Sequence, residues 1–383
     1  AEARARRNRP QIARQGPLIA TPDARTAEGE YVRLETIHPD DLGPAELDRW
    51  RAHQRARPEL ASPYLTPEWM RIVADVRDDA RVCLINGGDG FLAVQRLSPF
   101  AAMGLGAPIA DYQGVVSSSA LDLDPRALCR SLGVGRIDLT HVPEGLTPLK
   151  RAGAEGSWIA ETQGGRDLYE AALKQRRSEF VRQTEKKSRK LAREKGHTEF
   201  RGPSNERSDF DTLLAWKNAQ LVSSGQPAIW ATPWVSEVLE RCFDTNTPDF
   251  GGALFTLRAD NQLVAAAFCL CSERVLHFWI VAHNSAFDAY SPGVQLARWI
   301  VGWAAENGIA EVDFGPGDYQ YKRQLSTTQR MLSYGVIAGG SVSGAVRRTQ
   351  YALRGGIERL PQARLAALPG KAMRRLDLMR ALG

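Results

Sequence analysis

A chain of 383 residues with 43% hydrophobic and 25% charged residues has the balance of a globular protein and the length for two or three domains that hold cores without metals or disulfides. No stretch reaches the roughly 18 apolar residues of a membrane span, and the start AEARARRNRP lacks the apolar segment of a secretory signal. The net charge of +6 is uneven: residues 1–14, 166–195 and 341–383 carry +4, +6 and +7, which leaves −11 on the rest and points to an anionic partner for the basic segments.

Residues 1–30 are rich in Arg, Ala, Gly and Pro without an apolar period, and are predicted to be disordered. From Tyr31 the pattern becomes globular. YVRLETI alternates as a strand does. GPAELDRWRAHQRA and TPEWMRIVADV read as helices opened by Pro44 and by Thr66-Pro67. RVCLI and GFLAVQRLS flank NGGDG as a hairpin. DPRALCRSLG is a predicted helix, and RIDLTHV a strand. This first unit covers 31–160. Residues 161–197 are predicted as one long basic helix ended by Gly196. The second unit, 198–340, repeats the order. Helices FDTLLAWKNAQLV and TPWVSEVLERCFD come first, then a hairpin of GALFTLR and QLVAAAFCL around ADN. VLHFWIV, apolar on both faces, is a predicted central strand. A Ser-Pro-Gly entry then opens the helix SPGVQLARWIVGWAAENG, and the strand AEVDFG follows. The shared order, helices, hairpin, then strand–helix–strand, suggests a duplicated α/β fold. The tail 341–383 is basic and helix-prone, with Met373, Leu376 and Met379 on one face among Lys371, Arg374, Arg375 and Arg380.

The five cysteines, Cys83, Cys129, Cys242, Cys269 and Cys271, lack CxxC spacing and read as buried thiols of a cytoplasmic protein. No metal motif, P-loop or G-x-S-x-G is present, so no metal is expected. The order hairpin, buried strand, Ser-Pro-Gly turn, helix, strand is that of the acyl-CoA half of a GNAT-type acyltransferase. Its physical basis is a helix N-terminus that accepts an anion beside a turn of small residues. Ser291, Gly293 and Val294 are the donor-binding candidates, although Ser-Pro-Gly is also an ordinary helix start.

The stretch HFWIVAHNSAFDAYSPGVQLARWIVGWAAENGIAEVDFGPGDYQYKRQL resembles the C-terminal signature of the BioF2-like, or CelD/BcsL-like, acyltransferases. The elements are Ser291, Pro292 and Gly293; Asp313, Phe314, Gly315 and Gly317; then Tyr321 and Lys322. SPYLTPEWM (62–70) and ADYQGVV (110–116) extend the resemblance into the first half, and the basic helix is similar to that of the FemAB aminoacyltransferases. The resemblance implies an α/β (α+β) fold of two GNAT-like mixed-sheet modules joined by a long basic helix. It also implies an acyl-CoA donor, an acceptor cleft between the modules, and an amino sugar of an exopolysaccharide or cell-envelope precursor, or a lipid-linked saccharide, as acceptor.

Acyl transfer to an amine needs a proton acceptor, donors for the oxyanion and a proton for the departing thiolate. Asp111 and Asp318 are candidates to deprotonate or orient the acceptor, while Tyr321 and Lys322 would organise the site. Lys322 suits a phosphate or carboxylate. Tyr112, Trp230, His283 and Arg182 are acceptor-binding candidates. Asp313 reads either as a functional carboxylate or as a loop cap, and His277 as a satisfied core residue. The basic segments admit three anions. A nucleotide or lipid-linked diphosphate, or tRNA, suits 166–195; an anionic membrane surface suits 341–383; a cyclic dinucleotide such as c-di-GMP would make the chain a regulatory module. Aminoacyl-tRNA as donor is the enzymatic alternative, and a peripheral position at the inner membrane face goes with the membrane reading.

Overall fold

Prolines and glycines punctuate this chain where the pattern predicts. The computed structural model describes residues 32–358 and 368–382, and the predicted disordered tail 1–30 lies outside them. Strand β1 (Leu34–Ile37) leads to helices α1 (Pro44–Ala56) and α2 (Pro67–Ala74). Both carry proline in the first turn, where an N–H would go unused. Thr66 caps α2 by accepting the Trp69 N–H at 3.0 Å. Strands β2 (Ala80–Ile85) and β3 (Gly90–Ser98) form the predicted hairpin, with Asn86 and Gly87 at φ 49° and 69°. Then come β4 (Ala101–Gly104), β5 (Val115–Val116), α3 (Pro125–Ser131), β6 (Ile137–Pro143) and β7 (Lys150–Glu161).

The basic segment is helical but not continuous. It forms α4 (Arg166–Arg176) and α5 (Ser178–Lys195), with Arg177 at φ −139° between them. Leu173 of α4 and Val181 of α5 are both buried. On one straight helix they would point about 80° apart, and the break lets both face inward. The second half then gives β8 (Thr198–Ser204), α6 (Arg207–Ser223), α7 (Pro233–Asp244), β9 (Phe250–Ala259), β10 (Gln262–Ser272), β11 (Val275–His283), α8 (Pro292–Glu306), β12 (Glu311–Asp313), α9 (Gln320–Leu325) and β13 (Thr328–Ile337). Helices α10 (Val342–Glu358) and α11 (Leu368–Leu382) end the described chain.

One sheet runs in the order β1-β2-β3-β4-β6-β13-β7-β12-β11-β10-β9-β8, with β5 on β3. The duplication is visible in it. Strands β1 to β4 are successive antiparallel neighbours, and β4 is parallel to β6. Strands β8 to β11 repeat this, and β11 is parallel to β12. The last strand of each set crosses over: β7 leaves β6 and pairs with β12, while β13 pairs with β6, and the two meet at the centre. The modules are interlocked by this exchange. The sequence pattern does not announce β7, because KRAGAEGSWIAE is small and polar. Its Gly153 and Gly156 lie under Tyr334 and Gln329 of β13, which a Cβ would strike.

Alternation along the strands serves two layers. Ala266, Phe268 and Leu270 of β10 join Trp50, Trp69, Phe210 and Val235 from α1, α2, α6 and α7. Ala265, Ala267 and Cys269 join Leu173, Val181 and Leu296 from α4, α5 and α8 on the other face. All five cysteines are free thiols, four buried and Cys271 half-buried. The C-terminal pair packs back on the first module. Arg347 is buried and holds Asp138 at 3.1 Å and Asp377 at 2.6 Å, and Ala381 packs on Met103 and Ala107. The side chains of Lys371 and Arg374 lie outside the described ones. Among the described residues, no helix is long and apolar enough to cross a membrane.

Candidate active site

The parallel ladder of β11 and β12 is only three pairs long, ending at His277 opposite Asp313. Beyond that pair β11 runs on to His283, while β12 stops at Asp313. The sheet is therefore splayed between these two strands, and the residues at the mouth of the gap are polar. Asp313 is fully buried. Its carboxylate accepts from the Tyr112 hydroxyl at 2.6 Å, the Ser157 hydroxyl at 2.5 Å and the Gly315 N–H at 2.8 Å. His277, also fully buried, bonds Asp111 through Nε2 at 3.0 Å. Its Nδ1 lies 3.8 Å from Asp313, near enough for charge attraction and too far for a hydrogen bond. Burial works against a charged imidazole, but the flanking carboxylates prevail and raise His277 to about 9. Burial likewise works to raise Asp111 and Asp313, and the His277 partner reverses it, holding both below the usual carboxylate range.

Asp111 is the member of this chain that meets solvent, with 29% of its side chain exposed. Gly315 makes its approach possible: at φ 72°, a Cβ there would stand 3.0 Å from the Asp111 carboxylate. Asp111 lines a cleft of about 700 Å³ with Lys217, Trp279, Val281, His283, Ser291, Gly293, Val294, Tyr319, Tyr321 and Lys322 among others. Lys322 is nearly buried and donates to the Pro316 carbonyl at 2.7 Å and the Gly315 carbonyl at 3.4 Å. Burial lowers its amine. A second cavity of about 740 Å³ adjoins the first, sharing Ser291, Val294, Tyr319 and Tyr321. Its far wall is basic, with Arg176, Arg177 and Lys187 from the α4–α5 segment. Ser291 enters α8 at φ 50° without capping it, and its hydroxyl instead accepts from Lys187 Nζ at 2.7 Å. Small residues, a helix N-terminus and three cations fit a diphosphate here. Among the described residues, no group of His, Cys, Asp and Glu could hold a metal ion.

The predicted residues thus fall into two sets. Asp111, Tyr112, Ser291, Gly293, Val294, His283, Tyr321 and Lys322 surround the splayed gap, with Tyr112 in its buried wall and His283 at the rim against Asp288, 2.7 Å away. Asp318 is exposed and paired with Arg323, Arg182 is exposed and paired with Glu179, and Trp230 is buried edge-to-face on Trp279. The sequence places His277 as a satisfied core residue, which its two carboxylate partners correct, and does not point to Ser157, Lys187 or Lys217. A histidine between apolar neighbours reads as core, and only its alignment with Asp313 across a parallel pair reveals its partners. The resembling motifs do converge. SPYL brings Tyr64 edge-on to His277, with ring centres 4.9 Å apart, ADYQ brings Asp111 and Tyr112, and Asp-Phe-Gly brings Asp313 and Gly315.

Residues 151–323, from β7 into α9, match the family model described as acetyltransferase (GNAT) domain. No curated protein matches the chain. Among solved structures, FemX shares the fold at 10% identity and a TM-score of 0.52, covering 83% of this chain and 100% of its own. The C-terminal domain (DUF2156) of a candidate lysylphosphatidylglycerol synthetase from Agrobacterium fabrum aligns at 12% identity and a TM-score of 0.48, covering 80% and 96%. A tandem GNAT protein of the clavulanic acid pathway aligns at 9% and 0.45, covering 81% and 99%. Residues 151–323 thus carry a match to a GNAT-type acetyltransferase domain, set in a duplicated mixed sheet.

Proposed function

We propose that the chain moves an acyl group from acyl-CoA to the amine of an amino sugar in an exopolysaccharide or cell-envelope precursor, as a CelD/BcsL-like enzyme. The observation that carries the transfer reading is the splayed β11–β12 gap, with a basic cradle on one side and the Asp111 carboxylate on the other. In this reading residues 198–340 with strand 150–161 bind the donor, 161–197 close over it, and 31–160 supply Asp111. The donor phosphates lie between Lys187, Arg176 and the α8 N-terminus, and the thioester reaches the shared rim at Tyr321. The amine nitrogen attacks the thioester carbon and forms the C–N bond. The oxyanion then collapses, the C–S bond breaks and the CoA thiolate leaves. Asp111 takes the amine proton, and the Tyr321 hydroxyl, which burial keeps protonated, gives one to the thiolate. Asp111 then releases its proton to solvent, and solvent returns one to Tyr321.

Purified protein with acetyl-CoA and amino-sugar acceptors should release free thiol. No calorimetric CoA binding and no thiol release with any acceptor would overturn the reading. Lys187→Ala is expected to raise the KM for acyl-CoA by about 3- to 30-fold, more at low salt, with kcat little changed; steady-state kinetics at two ionic strengths read it. Aminoacyl-tRNA as donor is the second reading, favoured by the exposed Arg182, Arg189 and Arg193 on α5. Salt-sensitive tRNA binding without CoA binding would support it instead.

The acceptor's location is part of the proposal. Val342, Val346 and Leu353 of α10 and Leu376 and Met379 of α11 are exposed. Phe100, also exposed, adjoins α10 through the Ser343 hydroxyl on its carbonyl at 3.0 Å. Arg375 and Arg380 are exposed beside them. Exposed apolar groups with arginines on the same helix suit an anionic bilayer surface. The chain is expected to sediment with phosphatidylglycerol vesicles at least tenfold better than with phosphatidylcholine, and Leu376→Asp with Met379→Asp to abolish the difference. Equal binding to both vesicles would count against the surface.

A further inference from the structure

Lys217 has no task in the transfer just described, yet it is placed inside the cleft. It stands on α6, on the face of the sheet opposite α8 and the basic cradle. Its ammonium donates to the Val281 carbonyl at 3.2 Å and lines the same cleft as Asp111 and Lys322. A lysine has three N–H donors, and this carbonyl accounts for one. Neither Lys217 nor Lys322 has a carboxylate within 4 Å among the described residues. The two carboxylates that line the cleft are matched elsewhere, Asp111 by His277 at 3.0 Å and Asp288 by His283 at 2.7 Å. Asp111, Asp313 and Glu155 reach Lys322 only through longer-range attraction. Lys322 is buried and Lys217 half-buried, burial lowers both amines, and neither ammonium has a carboxylate against it among the described residues. Such a pair suits an anionic group, which would favour the charged amines that burial disfavours.

The donor phosphates do not fill this role, because their cradle is the adjacent cavity with Lys187, Arg176 and Arg177. We infer that Lys217, with Lys322, forms an anion subsite on the acceptor side, so the acceptor is an amine that also carries a carboxylate or phosphate group. This rests on the transfer reading above. The chemistry supports it twice. The anion would anchor the acceptor with its amine toward Asp111, and two cations near an incoming ammonium lower its pKa and favour the neutral nucleophile.

The test compares glucosamine with glucosamine 6-phosphate and with 2-amino-2-deoxyglucuronic acid, the two anionic arms separating phosphate from carboxylate. The wild-type enzyme is expected to prefer one anionic acceptor over glucosamine by about 10- to 100-fold in kcat/KM. Lys217→Met should bring that ratio to within about threefold, chiefly through KM, and Lys217→Arg should restore part of it. Equal kcat/KM for all three in wild type, or a preference that survives in a folded Lys217→Met, would overturn the subsite while leaving acyl transfer intact. If no acceptor releases thiol, the transfer reading fails by itself. Calorimetry with glucosamine 6-phosphate and the amino-uronic acid then reads the subsite alone: Lys217-dependent binding of either upholds it, and no binding of both overturns it.

Discussion

Asp111→Asn is expected to lower kcat by roughly 10²- to 10⁴-fold, the range a positioned general base contributes, with the fold intact. Asparagine keeps the size of the side chain and an oxygen for His277, but cannot take the amine proton. The KM for acyl-CoA should stay within about threefold, because Lys187 and the α8 N-terminus lie in the neighbouring cavity. Thiol release under saturating donor, with circular dichroism as the folding control, reads the result. Asp318 is the contrast: exposed and paired with Arg323, it is expected to tolerate the same change with less than a threefold loss. A loss below threefold at Asp111 would mean that the amine loses its proton elsewhere.

Much of this site was legible because the motifs carry their own local physics. Thr66-Pro67 and Ser291-Pro292 announce helix starts, and VLHFWIV announces a strand with both faces covered, as β11 puts Ile280 into one core and Leu276 and Phe278 into the other. Their order announced a duplicated fold, and the sheet repeats it strand for strand. What stayed hidden depends on pairing across long separations. The pairing of β7 with β13 sets Gly153 and Gly156 under Tyr334 and Gln329, a relation invisible along either segment. The Asp111–His277–Asp313 chain joins residues 166 and 36 positions apart: strand register sets His277 opposite Asp313, and the segment between β4 and β5 brings Asp111 to them. Asp318 looked like its neighbours Tyr321 and Lys322 in sequence. Asp318 precedes α9 and stands in solvent, while Tyr321 and Lys322 in its first turn line the cleft.

The same chain of charges makes a stability prediction with a definite sign. His277 is raised in the fold to about 9 from the ordinary value near 6.5. Its contribution is fully present below about pH 6.5 and is lost as pH rises through 9. Asp111 and Asp313 are depressed, so theirs is present above about pH 4 and is lost on acidification. Unfolding free energy should therefore plateau between about pH 4.5 and 6.5. It should then fall by about 3 kcal/mol toward pH 9.5, the worth of the histidine shift alone. Urea unfolding at several pH values measures it, and His277→Gln isolates it from the titration of surface groups. That variant leaves Asp313 buried beside a neutral amide, so it is expected to be less stable at pH 6 by about 3–5 kcal/mol and to lack the alkaline fall. A wild-type curve that is flat from pH 6.5 to 9.5 would mean a neutral imidazole in the fold. Asp111 would then lack the charge that depresses it, and the cleft would hold a stronger base at a lower ionised fraction. The pH profile of kcat should follow: with charged His277 the acid limb lies below pH 4, and with neutral His277 it moves up toward the range of a buried carboxyl.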